Sequence, residues 1–206
     1  MTTATQTRAN MRTADHPVSP LFLQRWSPRA FTDETIGEGE LLTILEAARW
    51  APSSYNLQPW RFVWARRGTE HWARFLDLLM PFNRVWAQSA AALVFVVSDS
   101  LMKGQDGEAR VSHSHSYDSG AAAASFMLQA TSMGWQAHGM LGIELDRIRQ
   151  DLAVPEHFRV EAAYAIGRQG DKSLLPEKLA ARETPSDRKP LAELAFEGGF
   201  PDRMES

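Results

Sequence analysis

The chain has 206 residues, 44% of them hydrophobic and 23% charged, with a formal net charge of -3. This length suits one domain with a substantial core, and the composition argues against a disordered or fibrous chain. The absence of cysteine excludes disulfides, thiolate metal sites, iron–sulfur ligation and a cysteine nucleophile, so redox chemistry would need a borrowed cofactor.

Acidic and basic residues are mixed along the chain and leave no electrostatic footprint for nucleic acid. Residues 1–17 form a polar tail without the apolar stretch of a secretory signal, expected to be mobile until Leu21, Phe22 and Leu23 anchor the chain. No apolar run reaches the roughly 18 residues of a membrane span. A cytoplasmic protein is expected, with residues 18–206 as a single domain.

Ser19-Pro20 pairs an N-cap with proline at the first helical position and predicts a short helix to about Trp26. Leu41, Leu42, Leu45, Ala48 and Arg49 repeat at helical spacing from Gly39 until Pro52 disfavours helix at Ala51. Arg61–Ala65 is apolar, β-branched or aromatic and predicts a strand. Helical spacing returns over Glu70–Leu79, and the continuous apolar run Ala90–Ser98 suits a central strand buried on both faces. From about Tyr117 to Met133 the small residues predict a buried helix that Gly134 stops. A strand over Trp135–His138, a helix over Asp146–Leu152 and a strand over Val160–Ile166 follow. No G-x-G-x-x-G lies between a strand and a helix, and the elements lack a βαβ cadence, so the fold class is α+β rather than a dinucleotide fold.

Three polar segments interrupt this pattern. Arg25-Trp-Ser-Pro-Arg29-Ala-Phe31 carries two guanidiniums and a hydroxyl, a set that grips phosphate through bidentate and short hydrogen bonds; taken alone it equally describes solvated arginines on a turn. Ala51-Pro-Ser-Ser-Tyr-Asn-Leu-Gln-Pro-Trp60 holds hydroxyls and carboxamides in a proline-restricted loop, suited to the edge of a heteroaromatic ring, or to an ordinary Ser/Asn turn. Gly134-Trp-Gln-Ala-His-Gly-Met-Leu-Gly142 lets backbone lie against a flat ring, or merely punctuates a turn.

In order, R-x-S-x-R-x-F, PSS-x-N-x-QPW-x-F and the G-x-x-G turn after an Ala-rich helix resemble the nitroreductase family, over about residues 20 to 195. The resemblance implies a mixed, mostly antiparallel sheet flanked by helices and an intertwined homodimer. It also implies one FMN at each of two subunit interfaces, and a ping-pong cycle with NADH or NADPH. It makes Arg25, Ser27 and Arg29 ligands of the FMN phosphate, ribityl chain and pyrimidine side, with Trp26 contributing backbone. Pro52, Ser53, Ser54 and Asn56 would reach the flavin held mainly by the other subunit. Asn83 matches an asparagine near the pyrimidine edge, Met140, Leu141 and Gly142 match the turn facing N5, and Arg188 matches a phosphate ligand. An arm over about residues 184–206 would wrap the partner. Leu141 and Trp86 stand where some relatives carry an acidic residue and a lysine, which implies a more apolar pocket.

The expected function is an NAD(P)H-dependent flavin oxidoreductase acting on a small acceptor such as a nitroaromatic, quinone or enal. The flavin carries the hydride, so no side chain need be a nucleophile. A flavin-storage module is the alternative from another class. A reductive dehalogenase or flavin-cleaving relative would need a specialised lid, and none is distinctive between Leu101 and His115. His113-Ser-His115 reads as a solvated loop, with no third ligand that would make it a metal site, and no metal is expected. Asp118 reads as a helix N-terminal charge, and Trp86 or Tyr55 as surfaces on which a substrate could stack.

Overall fold

The computed structural model describes residues 12–104 and 106–201; most of the expected tail, residues 1–11, lies outside them. Four strands form the main sheet: β1 (Trp60–Arg66), β2 (Ala92–Asp99), β5 (Gln136–Met140) and β6 (Phe158–Gly167), in spatial order β1-β2-β6-β5. Between β2 and β5 the short strands β3 (Leu101–Lys103) and β4 (Ala109–Val111) form a separate hairpin.

β2 is buried along nearly its whole length because its alternating side chains feed two cores. Leu93, Phe95 and Val97 pack with Trp86, Met140 and Ile143 on one face, and Ala92, Val94 and Val96 with Leu41, Ile44 and Phe126 on the other. The first face is covered by α3 (Trp72–Asp77), α4 (Pro81–Ala87) and α6 (Leu145–Asp151), the second by α2 (Glu38–Arg49) and α5 (His115–Ser132). The short α1 (Pro20–Gln24) is capped by the Ser19 hydroxyl, which accepts from the Leu21 amide at 3.4 Å, and α7 (Glu177–Ala180) packs late in the chain. Truncating Phe95 or Phe126, both fully buried, would cost about 3–5 kcal/mol.

The α+β class holds, and the expectation of a mixed sheet narrows. All three pairings of the main sheet are antiparallel, because the helices between β1 and β2 and between β5 and β6 return the chain on one face. A parallel pair would need a crossover connection. One irregularity interrupts the ladder: the β2–β6 register shifts between Val96 and Val97, leaving Glu161 as the extra residue of a bulge. α5 begins at His115 and stops where Gly134 takes a φ of +79°. The expectation of a free tail through Pro17 also narrows, since residues 12–15 are fastened to the C-terminal segment. Arg12 Nε donates to the Ser186 carbonyl at 2.8 Å, and Asp15 Oδ2 accepts from the Leu191 amide at 2.7 Å. Among the described residues, no helix is long and apolar enough to cross a membrane.

Candidate functional site

Leaving α1, the chain turns extended at Arg25 and runs beside β5. Period two places Gln136 and His138 on one side of β5, and both grip this segment. Gln136 Oε1 accepts from the Trp26 amide at 3.5 Å, and His138 Nδ1 lies 2.9 Å from the Pro28 carbonyl. Because a carbonyl only accepts, His138 carries its proton on Nδ1. Trp26 is buried, with its indole N–H on Gln169 Oε1 at 3.2 Å. Arg25 is half-buried, and its Nη1 donates to the Ser27 hydroxyl at 3.4 Å. Burial, then the neighbouring charges of Arg12 and Arg188, hold the Arg25 guanidinium below its usual pKa. Three cations therefore share one neighbourhood, two from expected positions and one from the tail.

Arg29 is set by a residue the sequence reading passed over. Glu183 is buried, and its Oε1 accepts from the backbone amides of Arg29 and Ala30 at 2.5 and 2.8 Å. Its Oε2 lies 3.8 Å from Arg29 Nη1 and makes no hydrogen bond. Nothing in the local sequence flags Glu183, because its partners lie more than 150 residues earlier. Gln136 and His138, two polar residues alternating on a strand, carried a signal that could have been read.

β5 ends at Met140, which is buried, and releases Leu141, which is 79% exposed, and Gly142. Asn83 on α4 is buried and donates its Nδ2 to the Gly142 carbonyl at 3.0 Å; the Met80 amide donates to the same oxygen. A Cβ on Gly142 would run into the Phe82 ring and within 2.7 Å of Asn83 Nδ2, so α4 packing itself requires this glycine. Asn83 is thus a holder of the turn.

The second segment has a different setting. Pro52, Ser54, Tyr55 and Asn56 are exposed, and Ser53 Oγ accepts from the Gln58 amide at 3.0 Å. Tyr55, Asn56 and Gln58 all have left-handed φ, at 49°, 54° and 49°. Three non-glycine residues in that region mark a backbone held under local strain, which concentrates at ligand sites. Asp118, buried in the first turn of α5, accepts from the Ser54 amide at 3.1 Å and from Ser114 Oγ at 2.9 Å. Its carboxylate ties this loop to the helix. Ala51 and Trp60 at the loop's ends belong to the α2–α5 core, whereas Met140 and Trp86 belong to the opposite one. The chain therefore brings together residues 25–29, 136–142 and Asn83, and keeps residues 52–56 with the other face of its sheet.

Other expectations are corrected. His115 is not solvated: its Nδ1 lies 2.7 Å from Ser98 Oγ, and Ser98 and Ser116 both donate to Glu161 Oε1, at 2.5 and 2.6 Å. The bulge aims Glu161 at these partners. Among the described residues, no three His, Cys, Asp or Glu side chains are grouped to hold a metal.

The nitroreductase family model matches residues 22–168. The chain belongs to the nitroreductase family. It is 50% identical to a crystallised oxidoreductase containing FMN, with a TM-score of 0.92 over 95% of this chain and 99% of that one. It is 27% identical to an NADH dehydrogenase of Thermus thermophilus over 76% of this chain and 89% of that protein. A CLA biosynthesis enone reductase of Lactiplantibacillus plantarum is 35% identical over 42% of this chain and 40% of its own length. Of the two positions that the resemblance marks as departures, Leu141 and Trp86, only Leu141 faces outward. Trp86 is 3% exposed, with its ring 4.6 Å from that of His138 and 6.3 Å from that of Phe31. Trp86 is therefore mostly core packing.

Proposed function

We propose that the protein is an FMN-dependent oxidoreductase taking electrons from NADH or NADPH and passing them, in a ping-pong cycle, to a small acceptor such as an enone, enal, quinone or nitroaromatic. The observation that carries this is the half-buried Arg25 guanidinium with Arg12 and Arg188 in its field. Like charges gathered at one place are relieved by a dianion, and the FMN phosphate is one. The donors present fit that group: Arg25, Ser27 and Arg188 for the phosphate, and Arg29, steadied by Glu183, for the polar ring edge.

When bound, FMN supplies the two-electron carrier that a chain without cysteine lacks. Asn83 fixes the Gly142 carbonyl, and the Met140–Leu141–Gly142 backbone so held would face the reactive edge of the ring. Leu141, exposed at 79%, contributes an apolar surface that excludes water from that edge. Pro52, Ser53, Ser54 and Asn56 serve the pocket of a second copy. The separation of this loop from Asn83 and Gly142 across the sheet supports that division of labour, as does the exposure of Tyr55 at 87% and Phe200 at 82%.

Purified protein should carry about one FMN per chain, bleach under anaerobic NADH or NADPH and recover on addition of an enone, quinone or nitroaromatic. Protein that cannot be loaded with FMN overturns the reading. FMN that neither bleaches nor recovers identifies a storage module instead.

A further inference from the structure

Arg12 lies in a polar stretch that no motif claims, yet its guanidinium joins both segments to which the proposed phosphate ligands belong. Nη1 donates to the Leu23 and Arg25 carbonyls at 3.3 and 2.8 Å, and Nε donates to the Ser186 carbonyl at 2.8 Å. Arg25 and Arg188 are far apart in sequence, and each stands at or within two residues of a carbonyl that Arg12 holds. Arg12 and Arg188 also line one open cleft with Lys189, Asp15 and Asp187. A planar fork of N–H groups bonds these three carbonyls from two segments in a fixed geometry; a lysine ammonium has three donors too, but as a point charge on a flexible stem it does not fix that geometry.

We propose that Arg12 is a positioning residue of the anion site, setting the spacing of Arg25 and Arg188 and making the site select a phosphorylated flavin over its neutral parent. The inference rests on the FMN reading above. Electrostatics agree with the geometry: burial and then Arg188 hold Arg12 below its usual pKa, with Asp187 opposing, and Arg12 acts on Arg25 in the same direction. The cluster is costly to assemble without an anion, and Arg12 keeps it assembled.

The test compares full-length wild type, Arg12→Lys and Arg12→Gln as apoproteins, titrated with FMN and with riboflavin by flavin fluorescence. Apoprotein thermal unfolding is followed in parallel. Arg12 is only partly buried, so both variants should fold, melting within a few degrees of wild type. Both should lose FMN affinity by about tenfold or more, the size of a charge-assisted contact, with riboflavin within about twofold of wild type. Wild-type FMN affinity in Arg12→Lys would overturn the positioning role, because charge alone would then suffice. Equal losses for FMN and riboflavin would reduce Arg12 to a fold contact. Wild type that binds no FMN defeats the underlying reading as well, an outcome distinct from failure of the variants alone. Should a variant melt early, inorganic phosphate replaces flavin as the probe on both proteins: it should raise the melting temperature of wild type by more than that of Arg12→Lys, and equal gains overturn the positioning role.

Discussion

The imidazole of His138 is kept neutral mainly by burial, which takes its pKa from the ordinary 6.5 down to about 4 against the raising effect of the Pro28 carbonyl. Between those values the unfolded chain binds a proton that the folded chain refuses. Stability is therefore full above about 6.5, falls as the pH drops towards about 4 and levels off below it. The whole effect amounts to about 3 kcal/mol, and His138→Gln should flatten that limb of a urea-unfolding series taken against pH. A limb unchanged by the substitution would assign the acid loss to other groups. Arg25→Ala should weaken FMN binding by about 1.5–3 kcal/mol while sparing riboflavin, measured by equilibrium dialysis. Arg25 could be picked out in the sequence because it sits in a motif. Arg12 and Glu183 could not, since their partners are backbone groups more than 150 residues away or nearby carbonyls with no side-chain signature.

Among the elements, the loop after α2 makes the sharpest demand. Tyr55 holds a φ of 49° with its side chain 87% exposed, so replacing it loses strain and little packing. Tyr55→Gly should raise apoprotein stability by about 1 kcal/mol, read as a higher melting temperature. A lower one would show that the ring is packed in the assembled protein. Asp118→Ala should do the reverse, costing about 1–3 kcal/mol because the Ser54 amide and Ser114 hydroxyl lose their acceptor. Elements with strong patterns were legible: the apolar β2, the Ala-rich α5 with its glycine stop, and the capped α1 all stand close to their expected positions. α4 was missed because seven residues are too few to display a helical period, although Pro81 at its first position was a usable sign. The β3–β4 hairpin was missed because its strands are mostly exposed and carry no alternation. Trp86 is more buried than a substrate-stacking surface would be, because its position is fixed by α4.

For the molecule as a whole, the proposed division of the pocket between two copies would link flavin binding to assembly. FMN should then shift the chain towards dimer by mass action, and melting temperature should rise with both protein and FMN concentration. Removing residues from Thr184 onward takes away Arg188 and the exposed Leu191, Leu194, Phe196 and Phe200, but leaves Glu183 to cap Arg29. Sedimentation of that truncated chain should show weaker dimer and weaker FMN binding together. A monomer that holds FMN as tightly as the full chain would refute the shared pocket. The bonds from Arg12 to Ser186 and from Leu191 to Asp15 span 174 and 176 residues, so they close almost the entire chain into a single ring. Contacts of such long range form late, after the loop they close has lost its freedom. During synthesis the sheet and both cores can condense first, while the cation cluster waits until Ser186 and Arg188 have left the ribosome. On that order the proposed anion site is completed last, and FMN is expected to bind after the rest of the fold has formed.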